Sequence, residues 1–186
     1  MAINTTSYAA EDALILYEII NPIWQFQPIS LNRSITDGST LNPPQAPHVQ
    51  PAYYAAILVA RAIGKSGIAK ISEVTVSDSN VSGYAIYEGS KLVRAVFINL
   101  NAWLSSSTGT RPSVTLTFSL GSNGPKTATG RRLVIAHADD TAGLKLGGQS
   151  YETADATVSG TESLESITLA NGVNLKSTEA ILLSFY

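Results

Sequence analysis

An apolar stretch with no charged side lies near the middle of the chain. Residues 51–64, PAYYAAILVARAIG, predict a helix, in which Pro51 suits the first helical position and Gly64 suits the position just after the last turn. Arg61 is its one charged residue. A helix on the surface of a domain normally shows a charged face. We therefore expect this helix to be covered on more than one side.

After Ile68 the apolar and polar positions alternate with a period of two, which is typical of half-buried β-strands. Gly89-Ser90 is a two-residue hairpin signal between two such runs. Turn pairs recur about every ten residues, so the pattern predicts a sandwich or a barrel of about seven or eight short strands. The predicted strands are Glu73–Val76, Tyr84–Glu88, Lys91–Asn99, Val114–Leu120, Arg131–Ala136 and Ala180–Tyr186.

The residues before the central helix are too few to form a domain of their own. Residues 7–20 open like a helix with Ser7 as its N-cap, although Leu16–Ile20 fits a buried strand equally well. Ile23–Ile29 alternates as a half-buried strand would. Residues 32–50 contain three prolines and an Asp-Gly pair, which predict a loop.

Composition excludes several classes of function. The formal net charge of −2 argues against an electrostatic nucleic-acid binder. The longest apolar run, Ala55–Ala60, is far too short to span a membrane, and the N-terminus lacks the pattern of a signal peptide. The chain has no cysteine, and neither His48 nor His137 has ligand spacing to another donor. We expect no metal and no cofactor.

The carboxylates form no recognisable catalytic pair in the sequence. Glycoside hydrolysis needs two carboxylates roughly 5–10 Å apart. Glu18 is a weak catalytic candidate, because it lies in an apolar run beside Tyr17, where burial would raise its pKa. An ordinary surface or strand-end glutamate is the favoured interpretation of that residue.

Four aromatic residues are candidates for carbohydrate binding, because the apolar face of a sugar ring stacks on an aromatic ring. They are Trp24, Tyr87, Trp103 and Tyr151. For each of them a place in the core or in an interface is the favoured interpretation. Trp103 is the best candidate, since it follows a predicted strand and falls in a loop.

Three long segments resemble a known family. They are Pro47–Gly64 (PHVQPAYYAAILVARAIG), Leu146–Gly160 (LGGQSYETADATVSG) and the closing STEAILLSF. Together they resemble the C-terminal part of fungal glycoside hydrolase family 79, the β-glucuronidase and heparanase-related group. RSITDGSTLNPPQAPHVQP resembles the linker of those enzymes. The resemblance extends over most of residues 23–186.

The resemblance implies a particular architecture. In that family of retaining enzymes a (β/α)8 barrel carries the chemistry, and a β-sandwich follows it. Residues 1–50 would be a barrel remnant with a Pro-rich loop, and residues 51–186 would be a linking helix and an antiparallel β-sandwich. The acid/base glutamate of the family follows an asparagine, but this sequence contains no Asn-Glu pair. The resemblance therefore assigns no catalytic residue to this chain.

The resulting hypothesis is a non-catalytic binding or effector module derived from a glucuronidase-like hydrolase. We expect a glycan or cell-surface ligand, a homo-oligomer, and neither nucleic-acid binding nor membrane insertion. The side of the helix that would face the barrel is then covered by residues 8–31, by a second copy of the chain, or by neither. The resemblance implies a secreted, extracellular protein; without it, the missing signal peptide would indicate a cytoplasmic one. Two alternatives remain: a β-glucuronidase fragment with residual or complementation-dependent activity, and a purely structural accessory domain.

Overall fold

The computed structural model describes residues 29–30 and 48–186, and the side chains of residues 49–186. The helix predicted at residues 7–20, most of the strand predicted at Ile23–Ile29, and the candidates Glu18 and Trp24 lie outside these residues. Helix α1 spans Pro51–Ile63, and a short 3₁₀ helix spans Leu169–Asn171. The strands are β1 Ile29–Ser30, β2 His48–Val49, β3 Ala69–Val74, β4 Val81–Glu88, β5 Lys91–Asn99, β6 Ser113–Leu116, β7 Thr127–Val134, β8 Lys145–Leu146, β9 Glu165–Thr168, β10 Val173–Lys176 and β11 Ala180–Phe185.

The described strands form one large antiparallel sheet and a smaller pair that packs on it. The large sheet has the order β3-β4-β5-β11-β7-β8, and β9 pairs with the free part of β7. The smaller layer consists of β6 and β10. The prediction of a mainly-β antiparallel sandwich with a helix is confirmed.

Strand β11 lies in the middle of the large sheet, between β5 and β7. Its sequence AILLSF is almost continuously apolar because both faces of the strand are covered. Ile181 and Leu183 face the core shared with β6 and β10, whereas Leu182 faces the core shared with α1. All three side chains are essentially inaccessible to water.

Helix α1 forms a third layer on the opposite face of the large sheet. Tyr54, Leu58 and Ala62 recur every four residues, so they lie on one side of the helix, and all three are buried. They pack in one cluster with Ile86 of β4 and Leu182 of β11. The sheet is thus covered by a helix on one face and by a strand pair on the other.

Several predicted strand bounds differ from the structure: β3 ends at Val74 and β7 at Val134, each two residues before the predicted end. The alternating run Val114–Leu120 predicts a seven-residue strand, but β6 ends at Leu116. Leu116 pairs with Val173, the first residue of β10. The preceding residue, Gly172, has a φ of 72° and turns the chain away from β6. Without a partner strand the ladder stops, and the later apolar residues of the run pack on the core without it. The predicted loop 32–50 also ends in the short strand β2.

Candidate functional site

The outer side of α1, opposite the sheet, is apolar and exposed. Val59 is 51% exposed and Ile63 is 39% exposed, and Ala56 and Ala60 are also exposed. A turn of 100° per residue places these four on the side away from the buried residues. Among the described residues nothing covers this side, so the expected cover on more than one side is not met there.

The first half of α1 is anchored by an aromatic cluster. The ring of Tyr54 is fully buried, and its hydroxyl accepts the backbone N–H of Tyr151 at 2.7 Å and lies 3.1 Å from Ser150 Oγ. The Tyr151 ring packs edge-on against the rings of Tyr53 and Tyr54, at centroid distances of 5.6 and 5.4 Å. The loop after β8 therefore provides the surface on which the first half of α1 packs.

The C-terminal end of α1 is held by Arg94 of β5. Its Nε donates to the carbonyl of Ala62 at 2.5 Å and its Nη2 to that of Ile63 at 3.1 Å, while the guanidinium also pairs with Glu88. A cation at this end complements the helix dipole and the unpaired carbonyls. Gly64 ends the helix with a φ of 74°, and a Cβ there would lie 2.8 Å from Arg94 Nη2.

A third link joins the side of α1 to the sheet. Glu162 Oε1 lies 3.2 Å from Arg61 of the helix and 2.6 Å from Arg131 of β7. The three side chains are partly exposed, so the pairs add little to stability. They nevertheless direct the one charge of α1 toward the sheet and away from the apolar outer side.

The loops at one end of the sandwich form a second polar cluster. The backbone N–H of Trp103 donates to Thr178 Oγ1 at 2.8 Å. Asp139 accepts both the backbone N–H and the hydroxyl of Ser105, at 2.8 and 2.6 Å, and His137 Nδ1 lies 3.2 Å from Asp140 Oδ2. In the described part of the chain, no group of three or more His, Cys, Asp or Glu residues could hold a metal ion.

Arg111 fastens this loop end to the sandwich. Its guanidinium donates to the carbonyls of Ser177, Ile135 and Ala136 at 2.5 to 3.2 Å. A guanidinium has five N–H donors in a fixed plane, so it can bridge several carbonyl groups at once. Sequence reasoning missed this residue, as it missed Arg94, because their carbonyl partners carry no signal in the sequence.

The carboxylates of the domain are engaged in structural bonds. Glu165 and Glu179 both bind the guanidinium of Arg132, at 2.6 and 3.2 Å. Glu179 is buried and also accepts the backbone N–H of Lys176. Apart from Glu73, the other carboxylates of residues 49–186 have polar partners: Asp78 with Asn80, Glu88 with Arg94, Asp139 with Ser105, Asp140 with His137, Glu152 with Gly143 and Leu144, Asp155 with Thr153 and Thr157, and Glu162 with two arginines.

Several of these bonds predict a loss of stability in acid. Side-chain hydrogen bonds lower the pKa of Glu88 (first from Arg94), of Asp139 (from Ser105), of Asp155 (from Thr157) and of Glu162 (from Arg131). A lowered pKa in the folded state contributes stability above the unfolded pKa, and this is lost as the pH falls through the folded pKa. We expect the urea midpoint to fall between about pH 5 and pH 2.

The acid effect has a matched control. Glu88→Gln removes one titrating group, so the midpoint of that variant is expected to depend less on pH than that of the parent chain. A midpoint that rises on acidification would contradict the assignment. Circular dichroism during urea unfolding at pH 7, 5 and 3 measures the midpoints of both chains.

The predicted carbohydrate-binding residues do not lie together. Tyr87 is in β4, Trp103 is in the loop after β5, and Tyr151 is in the loop after β8; all three are half-buried. Tyr151 packs against α1, as described above. These three described aromatic residues therefore do not form a common platform. Their role in carbohydrate binding stays a prediction.

The domain is a three-layer β-sandwich with an anchored helix. Residues 83–182 match the model of the glycosyl hydrolase family 79 C-terminal beta domain, and the chain belongs to this family. No curated protein matches the chain significantly.

Among solved structures, the chain is similar to a 4-O-α-L-rhamnosyl-β-D-glucuronidase from Fusarium oxysporum 12S in complex with Rha-GlcA. The sequence identity is 25%, the TM-score is 0.60, and the similarity covers 74% of this chain. The match covers 30% of the length of that enzyme. The resemblance to family 79 is therefore confirmed. No helix in the described part of the chain has the length and hydrophobicity needed to cross a lipid bilayer.

Proposed function

We propose that this domain is the non-catalytic β-module of a glucuronidase-like glycoside hydrolase. Its function is to hold α1 in place and to keep the outer side of that helix accessible for packing. The cleavage of sugar bonds takes place on elements outside the module. The extracellular location implied by the family is part of the same proposal.

One observation carries the proposal: Glu165 and Glu179 share one guanidinium, that of Arg132. A glycosidase needs one carboxyl group that holds a proton and one that faces the sugar. Glu165 and Glu179 are instead fixed by Arg132, and the buried Glu179 accepts a backbone N–H as well. This arrangement supports a structural role for both carboxylates.

A hydrolysis assay tests the proposal. The chain is incubated with a chromogenic aryl β-D-glucuronide, and also with a rhamnosyl-glucuronide of the kind named for the Fusarium enzyme. We expect no release of product above the buffer rate for the parent chain, Glu18→Gln or Glu165→Gln. Turnover by the parent chain that disappears in either variant would overturn the proposal in favour of a glucuronidase fragment.

Glycan binding is a separate part of the hypothesis and has its own measurement. The half-buried Trp103 lies beside the polar loop cluster, so among the described aromatic candidates it offers the best place for a sugar ring. Binding to a glycan array that is lost in Trp103→Ala and kept in Tyr87→Ala would assign a lectin function to that end. An array without binders would favour the purely structural module.

A further inference from the structure

The outer side of α1 carries a regular apolar stripe. It consists of Ala52, Ala56, Val59 and Ile63, with intervals of four, three and four residues. Such intervals keep side chains on one face of a helix, and they are the spacing with which one helix packs on another. Two small residues come first and two larger ones follow, so the stripe widens toward the C-terminal end of the helix.

The same pattern occurs in the N-terminal segment that the sequence predicts as helical. Intervals of four, three and four again separate two alanines, a larger aliphatic residue and an isoleucine. At 100° per residue, Glu11 and Glu18 fall on the opposite side of such a helix. The four positions of this second stripe are Ala9, Ala13, Leu16 and Ile20.

The two stripes complement each other when the helices run in opposite directions. Each alanine of one stripe then faces a larger residue of the other, which lets the side chains interdigitate without voids. In a parallel arrangement alanine would face alanine, and large residues would face each other. The antiparallel pairs are Ala9 with Ile63, Ala13 with Val59, Leu16 with Ala56, and Ile20 with Ala52.

The path of the chain keeps this segment close to α1. Ile29 of β1 pairs with Val49 of β2, and α1 begins at Pro51. Residue 29 is therefore held beside the start of α1. The nine peptide spacings from Ile20 to Ile29 reach at most about 30 Å, which exceeds the length of α1. This tether keeps residues 9–20 within reach of the outer side of α1, and the complementary stripes set the direction.

The size of the face also fits one helix of the same chain. A helix of the length of α1 is about 20 Å long and about 10 Å wide. The area of such a face is on the order of 200 Å². A stable complex between two chains buries about 800 Å² on each partner, which is several times more. A tethered segment needs less area because it loses no free translation on docking.

We propose that the outer side of α1 is a docking site for residues 9–20 of the same chain, which lie on it as an antiparallel helix. The proposal commits to a segment of this chain as the occupant. A second copy of the chain and an empty face are the competing outcomes. It does not depend on whether the module hydrolyses sugars.

Disulfide trapping in the full chain tests the docking. The protein has no cysteine, so the double variant A13C/V59C contains one possible pair. A disulfide requires Cβ atoms roughly 3.5–4.5 Å apart, which the antiparallel register provides. We expect an intramolecular disulfide under mild oxidation, detected by intact mass and by non-reducing electrophoresis. Its rate should be independent of protein concentration.

The chain offers a matched control for Val59. Val158 has the same side chain and almost the same exposure, 52% against 51%. We expect A13C/V59C to close at least about tenfold faster than A13C/V158C, because a flexible tether alone would close both at similar rates. Adding Leu16→Glu to A13C/V59C should remove this advantage.

Three results would overturn the proposal. Equal rates for A13C/V59C and A13C/V158C would mean that the segment does not dock on this face. Faster closure of A13C/A56C than of A13C/V59C would indicate a parallel arrangement. Disulfide-linked dimers whose yield rises with protein concentration would assign the face to a second copy, as the sequence-based expectation of a homo-oligomer has it.

Discussion

Replacing Tyr54 by alanine is expected to lower the free energy of unfolding by about 3–5 kcal/mol. The side chain is fully buried between α1 and the large sheet, and it packs edge-on against Tyr151. Its removal leaves a cavity, and it also leaves the backbone N–H of Tyr151 without its acceptor. Urea unfolding followed by circular dichroism measures the loss.

Tyr54→Phe separates the ring from the hydroxyl. This variant keeps the packing and loses the hydrogen bonds to Tyr151 and Ser150. We expect it to cost about 1–3 kcal/mol, clearly less than the alanine variant. If Tyr54→Ala costs less than about 1 kcal/mol, α1 does not depend on this anchor for its position on the sandwich.

The central strand β11 gives the second large effect. Ile181→Ala and Leu182→Ala are each expected to cost about 2–5 kcal/mol, because both side chains are almost completely buried and neighbouring elements leave little room to collapse into the cavity. The same denaturation experiment measures both. Ser184→Ala is the matched control in the same strand, since Ser184 is not fully buried and has a small side chain.

These neighbours in β11 also distinguish the two cores. Leu182 belongs to the cluster of Tyr54, whereas Ile181 faces the opposite core. In double-mutant cycles the costs of Tyr54→Ala and Ile181→Ala should add within about 0.5 kcal/mol, while Tyr54→Ala and Leu182→Ala should show coupling. Coupling of equal size in both cycles would contradict the separation into two cores.

The local pattern of the sequence predicted the elements well where one residue type decides the geometry. Pro51 and Gly64 set the limits of α1, and Gly89-Ser90 gave the β4–β5 hairpin. The ends of the strands were predicted less accurately, because the partner strand decides where pairing stops. The run that contains β6 alternates through Leu120, but the ladder stops at Leu116, opposite the residue where β10 begins.

The candidate site was harder to predict because its partners are distant in the chain. Tyr54 contacts residues about a hundred positions later, and Arg94 binds the end of a helix 32 positions earlier. Neither pairing leaves a spacing that a sequence can show. The aromatic residues Tyr87, Trp103 and Tyr151 look alike in the sequence, yet the structure places them in three separate surroundings.

By itself the sequence determined the class of the domain, its central helix and the family to which it belongs, because periodicity, turn residues and long matching segments are local properties of the chain. The tertiary structure decided which side of α1 is buried and how the carboxylates are engaged. Both depend on which strands pair and on the direction in which the helix crosses the sheet. Burial is a property of the assembled layers, so the apolar outer stripe of α1 became visible as a surface once the sheet had covered the other side.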